Sequence, residues 1–492
     1  MKIYRNLIDG EWVLPAGERE VPNLNPADTR DVIGAVKLST RAQARAAIDA
    51  AARAFPAWRA LPAPERARII QRAQHLLEER AEEVARALTR EEGKVLAEAR
   101  GEVKKTLNIL EFMAGQGMRL DGVTRPSELP STFAYTLRQP LGVIAAITPW
   151  NFPLSIPFWK LAPALVAGNT AVFKPATLTP ECAQHVVEIL CASGLPKGVL
   201  NLVYGAGNEV GEELVTHPAI RAVSFTGSSE VGAQLYARGA AAMKKVQCEM
   251  GGKNPLVVLE DADLDLAASG CAMGAFGSTG QRCTATARAI VVEQVADAFV
   301  AKVVELGRQF RAGPGLEEGF TLGPQVDENQ LNIVLKYIEV AREEGATMVC
   351  GGERLTQGDL KHGYFVAPTV FDQVQPQMRI AREEVFGPVL AVLRVRDFEQ
   401  ALQIANQVDY GLTASIYSGD PTRILRFVDQ IEVGMVHINS ATVGGEAHLP
   451  FGGVKATGVG HREMGDTCLD FYTELKTVYY DYTGTVRQSK FY

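Results

Sequence analysis

Seven cysteines are spread over 492 residues, at positions 182, 191, 248, 271, 283, 350 and 468, and no two form a Cys-x-x-Cys pair. That excludes a disulfide scaffold and suits a reducing compartment, so a cytoplasmic location is expected. A basic surplus is also missing. Lys and Arg number 50 against 57 Asp and Glu, a net charge of −7, which argues against a nucleic-acid partner. No clean apolar run of membrane-spanning length exists. The nearest, 141–168, is broken by Pro149, Pro153, Pro157 and Pro163 and holds Asn151 and Lys160; it reads as a buried strand, a loop and a helix, and no membrane partner is expected. The opening Met1-Lys-Ile-Tyr-Arg-Asn has no apolar segment and is expected to begin a mature chain. A G-x-S-x-G elbow is absent, which leaves a serine hydrolase unsupported. Gly252-Lys253-Asn254 and Gly453-Val-Lys455-Ala456 lack the Ser or Thr that a P-loop requires. Cys182 and His185 could share a helix face, but no further ligand stands near them, and no metal is expected.

What is present describes a globular α/β chain. Hydrophobic residues make up 47% and charged residues 22%, and the length implies two or three domains. Residues 40–118 read as helices, opened by a capping box in Thr40-Arg-Ala-Gln43, with Ile69, Ala73, Leu76, Leu77, Val84 and Leu88 at helical spacing. From 141 onward, β-branched runs at 142–148, 170–174, 199–204 and 222–226 alternate with helical segments. A second set follows at 255–259, 287–292, 389–395, 414–417 and 435–439. Such alternation implies parallel sheets with helices on both faces. Segments 131–138 and 473–482 read as antiparallel strands distant in sequence, an exposed pair that invites subunit contacts.

The chemistry concentrates in two glycine-set runs. Cys283 lies in Phe276-Gly277-Ser278-Thr279-Gly280-Gln281-Arg282-Cys283, and Glu249 in Glu249-Met-Gly251-Gly252-Lys253-Asn254. A lone thiol and a carboxylate suit covalent catalysis followed by attack of water. A glycine-rich turn after the strand 222–226, Gly227-Ser228-Ser-Glu-Val231-Gly232, could open a helix whose N–H groups attract phosphate, although such turns most often only reverse the chain.

The Cys283 and Glu249 runs resemble signatures of the aldehyde dehydrogenase superfamily, and the resemblance extends from Ile8-Asp-Gly-Glu-Trp12 to Glu474-Leu-Lys-Thr477. It includes Pro149-Trp150-Asn151-Phe152-Pro153, Lys174-Pro175-Ala176, Phe225-Thr226-Gly227-Ser228, Glu384-Val-Phe386-Gly387-Pro388 and Pro450-Phe451-Gly452-Gly453. The resemblance implies an NAD(P)-dependent enzyme that oxidises an aldehyde to an acid. Cys283 would be the nucleophile, Glu249 the base that activates water, and Asn151 the oxyanion donor together with the Cys283 N–H. It further implies that Lys174 holds the adenosine ribose, Ser228 the pyrophosphate and Glu384 the nicotinamide ribose, with Phe386 near the ring. Ile147, Trp150 and Val231 would flank the nucleotide, and Gly207 and Gly211 would form the adenine-side loop. Thr148, Pro149, Ala176, Thr177, Phe225, Thr226 and Gly227 complete the implied cofactor cleft. Lys160 and Glu463 match positions that would carry protons away from the base.

Two departures bear on cofactor and substrate. Thr177 stands where members dedicated to NAD often carry glutamate; a threonine does not repel a 2′-phosphate, so NADP is admissible beside NAD. Gly277 and Trp159 stand where relatives acting on ω-carboxylate aldehydes tend to have arginine. Phe152, Trp159, Phe276 and Phe451 instead suggest an apolar funnel, with Gly277 and Arg282 beside it. Within the family, the run 278–286 is similar to members acting on 2-oxoglutarate semialdehyde, and that substrate is expected; a broad, aromatic or medium-chain aldehyde specificity is the alternative. A retired enzyme kept as a binding protein is the rival of another class, and intact Cys283, Glu249 and Asn151 weigh against it. The fold implied is a Rossmann-like cofactor domain from 1–120 and 141–250, an α/β catalytic domain from 251–450, and a β oligomerisation arm from 121–140 and 467–492. Homodimers or homotetramers joined through that arm are expected.

Overall fold

Four helices, Arg41–Ala60, Ala63–Glu79, Ala81–Glu92 and Leu96–Gln116, occupy the stretch where helical periodicity was strongest. The first opens as its sequence requires: the Thr40 side chain accepts from the Gln43 N–H, and the Gln43 side chain accepts from the Thr40 N–H. The computed structural model describes residues 2–486, so the end of the expected arm, 487–492, lies outside the described residues.

Eight strands form the first sheet. Its parallel centre runs Lys245–Glu249, Ile220–Thr226, Val143–Ile147, Thr170–Lys174 and Leu200–Leu202. Asn6–Ile8 and Glu11–Val13 extend one edge antiparallel, and Gly458–Val459 closes the other. In chain order the central strands lie 5-4-1-2-3, so the winding reverses between Val143–Ile147 and Ile220–Thr226. A crevice at the carboxyl ends of such strands is the usual place for a nucleotide.

The second sheet has seven strands, ordered Thr347–Cys350, Thr369–Asp372, Val389–Val395, Thr286–Val292, Asn254–Val258, Thr413–Tyr417 and Met435–Ile438. All neighbours are parallel except the first pair. The central strands of both sheets are buried on both faces, which explains their continuous rather than alternating hydrophobicity.

Thr132–Pro140 and Thr473–Asp481 pair antiparallel along their whole length, with Thr124–Arg125 at the edge. Phe133, Leu137, Leu475, Tyr479 and Tyr480 are exposed on this small sheet. The N-terminal strands were not legible in the sequence. Lys2–Tyr4, Glu20–Asn25 and Asp28–Lys37 form a separate three-stranded sheet whose short members show no regular alternation of burial.

Candidate active site

Both sheets point into one cleft, but with opposite strand ends. Thr148–Asn151 follow the carboxyl end of Val143–Ile147, Gly227 and Ser228 follow that of Ile220–Thr226, and Glu249 is the last residue of its own strand. From the second sheet, Cys283 and Glu384 come from loops that precede the strands Thr286–Val292 and Val389–Val395.

The loop carrying Cys283 is contorted. Ser278, Thr279 and Gly280 are successive left-handed residues with φ of 48°, 55° and 68°. For two non-glycine residues that conformation costs energy, and the surroundings must impose it. They do. The Ser278 N–H donates to Glu98 at 2.6 Å, the Thr279 hydroxyl to the Gly323 carbonyl at 3.0 Å, and the Gln281 amide to the Pro324 carbonyl at 3.2 Å. At Gly280 a Cβ would collide with the Gly387 carbonyl, so only glycine fits. Asn254 completes the clamp by donating to the carbonyls of Cys283 at 2.7 Å and Ala285 at 2.8 Å. Gly252 permits this approach, because a Cβ there would stand 2.7 Å from the Cys283 carbonyl.

The thiol is shifted away from its ionised form. Burial pushes Cys283 up to about 12, with the charges of Glu384 and Glu249 acting in the same direction; Lys105 and the Thr284 N–H oppose them. Glu249 is held well above the usual carboxylate range, first by burial and then by the charge of Glu463, against Lys160, Arg462 and the Gly453 N–H. Its Oε2 is buried with no protein partner. Gly452, at φ 148°, passes so close that any Cβ would strike the Glu249 carboxylate. The run Pro450-Phe-Gly-Gly453 therefore wraps the acid. Behind it, Lys160 is fully buried, paired with Glu463 and donating to the Ser224 hydroxyl at 2.9 Å.

Asn151 donates one amide hydrogen to the Gln281 carbonyl at 3.0 Å and so ties its loop to the thiol-bearing one. An amide has two such hydrogens, which leaves the second free for a ligand. A buried charge network fixes this loop from below. Lys94 donates to Glu102 at 2.7 Å and to the Asn151 carbonyl at 2.7 Å, while Glu102 accepts from the N–H groups of Leu154 and Ser155, both at 3.0 Å. Burial works against the Lys94 charge, and the carboxylates of Glu102 and Glu92 outweigh it.

On the nucleotide side the donors fit a phosphorylated ligand. Lys174 is buried without an ion partner among the described residues, and burial lowers it to about 8. Gly211 approaches its Cε, and Gly207 faces open space. Ser228 caps the helix Ser229–Ala241 by accepting from the Val231 N–H at 3.4 Å, and Val231 is exposed on its first turn. The hydroxyls of Thr148 and Thr226 are buried without a hydrogen-bond partner. Ile147 and Phe225 lie buried beneath them, while Pro149, Ala176, Thr177 and Gly227 are partly open. Across the cleft Glu384 accepts from the Gly252 N–H at 2.9 Å, and burial raises it to about 7. Phe386 meets Trp150 edge-on with ring centres 5.4 Å apart. An anion-seeking helix end, a free ammonium and unpartnered hydroxyls are the donor set a dinucleotide uses.

The substrate-side expectations divide. Trp159 and Phe451 pack together with ring centres 4.9 Å apart, and Phe152 lies under the Lys94 ammonium at 4.2 Å. Phe276 does not join them. It is fully buried against Phe310 in the core beneath the second sheet, because the end of the helix Leu264–Phe276 turns it inward. Arg282 donates twice to the Ser278 hydroxyl, at 2.9 and 2.7 Å, and lies 3.7 Å from Glu98; its guanidinium fills the space beside Gly277.

Several contributors were missed from sequence. Glu98, Glu102 and Lys105 recur at helical spacing on Leu96–Gln116, a pattern that normally marks a solvated face. Here it is the face turned to the site, and only packing reveals it. Cys182 and His185 do lie on one helix, with the His185 ring against Arg80 at 2.9 Å. Among the described residues no cluster of three or more potential ligands could hold a metal, and no helix is long and apolar enough to cross a membrane.

A strained loop offering a thiol, a buried carboxylate and a dinucleotide-type crevice together point to an oxidoreductase. The profile of the aldehyde dehydrogenase family matches residues 12–478. An alpha-ketoglutarate semialdehyde dehydrogenase of Haloferax volcanii is 47% identical, over 97% of this chain and 99% of that one. The 2,5-dioxopentanoate dehydrogenase of Saccharolobus solfataricus is 45% identical, over 97% and 99%. A solved structure of an NADP-dependent enzyme from E. coli superimposes with a TM-score of 0.93 at 39% identity, covering 97% of this chain and 98% of that one. The chain belongs to the aldehyde dehydrogenase family.

Proposed function

We propose that this chain oxidises 2-oxoglutarate semialdehyde to 2-oxoglutarate, with Cys283, Glu249 and Asn151 as its catalytic residues. The observation that carries the mechanism is Glu249: a buried carboxylate with an unpartnered oxygen, electrostatically coupled to the Cys283 thiol. Glu249 takes the thiol proton, directly or through water, and Cys283 adds to the aldehyde carbon. The free Asn151 amide hydrogen and the Cys283 N–H stabilise the oxyanion. A bound nicotinamide supplies the hydride acceptor. The Lys160–Glu463 pair draws the thiol proton away, so that Glu249 is again a base when water attacks the thioester on Cys283; Glu249 takes that water's proton and Cys283 leaves as the thiolate. The presence of that buried base supports hydrolysis rather than transfer to coenzyme A.

Lys174, Ser228 and the unpartnered hydroxyls of Thr148 and Thr226 would hold the dinucleotide, with Glu384 and Phe386 toward its nicotinamide end. Thr177 puts no carboxylate near the adenosine ribose, so NADP competes with NAD. The likeness to the E. coli NADP-dependent enzyme supports this. The arm sheet, with its exposed Leu475, Tyr479 and Tyr480, joins copies into dimers or tetramers in the cytoplasm.

The names of the Haloferax and Saccharolobus relatives support the substrate. The apolar pair Trp159–Phe451 favours a neutral, broad-range aldehyde instead. Comparing kcat/KM for 2,5-dioxopentanoate, succinic semialdehyde, hexanal and benzaldehyde, each with NAD and NADP, decides between them. The semialdehyde should lead; neutral aldehydes leading by about tenfold or more would replace the assignment.

A further inference from the structure

The semialdehyde carries a carboxylate, and a carboxylate in a partly apolar funnel needs a cation. Neither position where related enzymes tend to place arginine supplies one here, since residue 277 is glycine and residue 159 is tryptophan. Arg282, the cation adjoining the nucleophile in sequence, is already engaged by Ser278 and Glu98.

Another cation, which the mechanism does not use, stands in the funnel wall. Lys105 rises from the helix Leu96–Gln116 so that its ammonium lies 4.6 Å from the centre of the Trp159 ring and 5.8 Å from that of Phe451. It reaches to 3.7 Å from where a Gly445 Cβ would stand. No carboxylate among the described residues is within ion-pairing distance of it, whereas the buried Lys94 and Lys160 are both paired. Lys105 borders a cleft of about 570 Å³ that Lys104, Phe112, Glu446 and His448 also line. Along the other direction it senses the nucleophile, because Lys105 and Cys283 each perturb the other's ionisation. Burial lowers the ammonium to about 8, so it stays largely protonated near neutrality.

Resting on the proposed substrate, we infer that Lys105 is the specificity residue that receives the carboxylate of the aldehyde acid, taking the place of the missing arginine. The cation is delivered by a neighbouring helix onto the face of Trp159. Aromatic faces hold an ammonium without neutralising it, so its charge remains available to the substrate.

The test compares wild type with Lys105→Gln and Lys105→Arg, using 2,5-dioxopentanoate and uncharged pentanal, with thermal unfolding as a check on folding. Wild type should prefer the semialdehyde. In Lys105→Gln the ratio of kcat/KM values, semialdehyde over pentanal, should fall on the order of 10- to 100-fold, through KM rather than kcat. Lys105→Arg should recover part of the preference, and it decides the matter if the glutamine variant does not fold. A wild-type preference that survives in Lys105→Gln, with both substrates falling together, overturns the role of Lys105 and leaves the substrate standing. A wild type that shows no preference overturns the substrate reading, and the inference with it.

Discussion

Glu249 closes a strand of the eight-stranded sheet, whereas Cys283 hangs on a loop just before a strand of the seven-stranded one. The two halves of the cleft are built by different means. On the Glu249 side, position comes from parallel hydrogen bonding: Thr226 pairs with Glu249 and Ile147 with Phe225, so neighbouring strand ends share one level. Regular structure sets the acid and the Ser228 turn at one rim, and the loop to Asn151 leaves its strand at the same level. On the Cys283 side no ladder acts. The left-handed turn and the residues after it are pinned by Glu98, by the adjoining Gly323 and Pro324, and by Asn254, groups drawn from three separate segments. The acid is placed by topology and the nucleophile by side-chain clamps. The second kind of placement is more exposed to single substitutions.

The largest expected effect removes the nucleophile itself. Cys283→Ala should lower turnover by about 10⁴-fold or more, measured as cofactor reduction at saturating aldehyde. Full activity in that variant would refute covalent catalysis.

Glu249→Gln should separate the two chemical stages. Hydrolysis slows by about 10²–10³-fold in steady state, while stopped flow should still show a burst of reduced cofactor, provided that thiol activation is the less affected step. The loss of the burst together with steady-state rate would assign Glu249 mainly to the thiol. The pH dependence has a defined sign. Because Glu249 is raised, its basic form appears only as pH climbs above the ordinary carboxylate range, so wild-type turnover rises with pH there and the variant lacks that limb. The same raised value means that wild type loses stability relative to the variant as pH rises from about 4.3. The apparent Tm of Glu249→Gln should therefore exceed wild type near neutrality and converge with it in acid. A constant gap would contradict the linkage.

Gly280→Ala probes the clamped loop. A left-handed alanine facing the Gly387 carbonyl should cost about 1–3 kcal/mol and displace the thiol, lowering kcat by about 10- to 100-fold. Urea unfolding and kinetics read the two effects separately. A fully active variant would mean that the loop tolerates movement and that the contrast between the halves is overstated.

The smallest catalytic effect is expected at the arm. Leu475→Asp with Tyr479→Asp should shift sedimentation toward monomer with less than about a threefold change in kcat, since neither residue borders the cleft. Unchanged sedimentation would remove this sheet as the subunit contact.

Much of the parallel-sheet scaffold was legible, because strands buried on both faces read as short β-branched runs between helices. Thr170–Lys174 and Val389–Val395 match their expected limits, and the antiparallel pairing of the two distant arm segments agrees as well. The N-terminal strands were not, since their faces are unevenly covered and leave no period to read. Phe276 looked like a funnel aromatic and proved to be core, for sequence position does not say which way a helix end turns.

The sequence by itself determined which groups are the candidates for reaction. Thiol, carboxylate and amide are chemical facts of the side chains, and the glycines around them announce close approach. It also set the limits on cofactor charge at Thr177. What only the tertiary structure decided is which charges face inward. Glu98, Glu102 and Lys105 share a spacing that an exposed helix face would also show, and their environment depends on the helix Ser155–Ala167 and the loops packed above it. A local pattern encodes periodicity; the burial of a charge depends on segments far away in the chain. That is why Glu249 and Cys283 were apparent from their motifs, whereas the cation beside Trp159 emerged only when the helices had been packed.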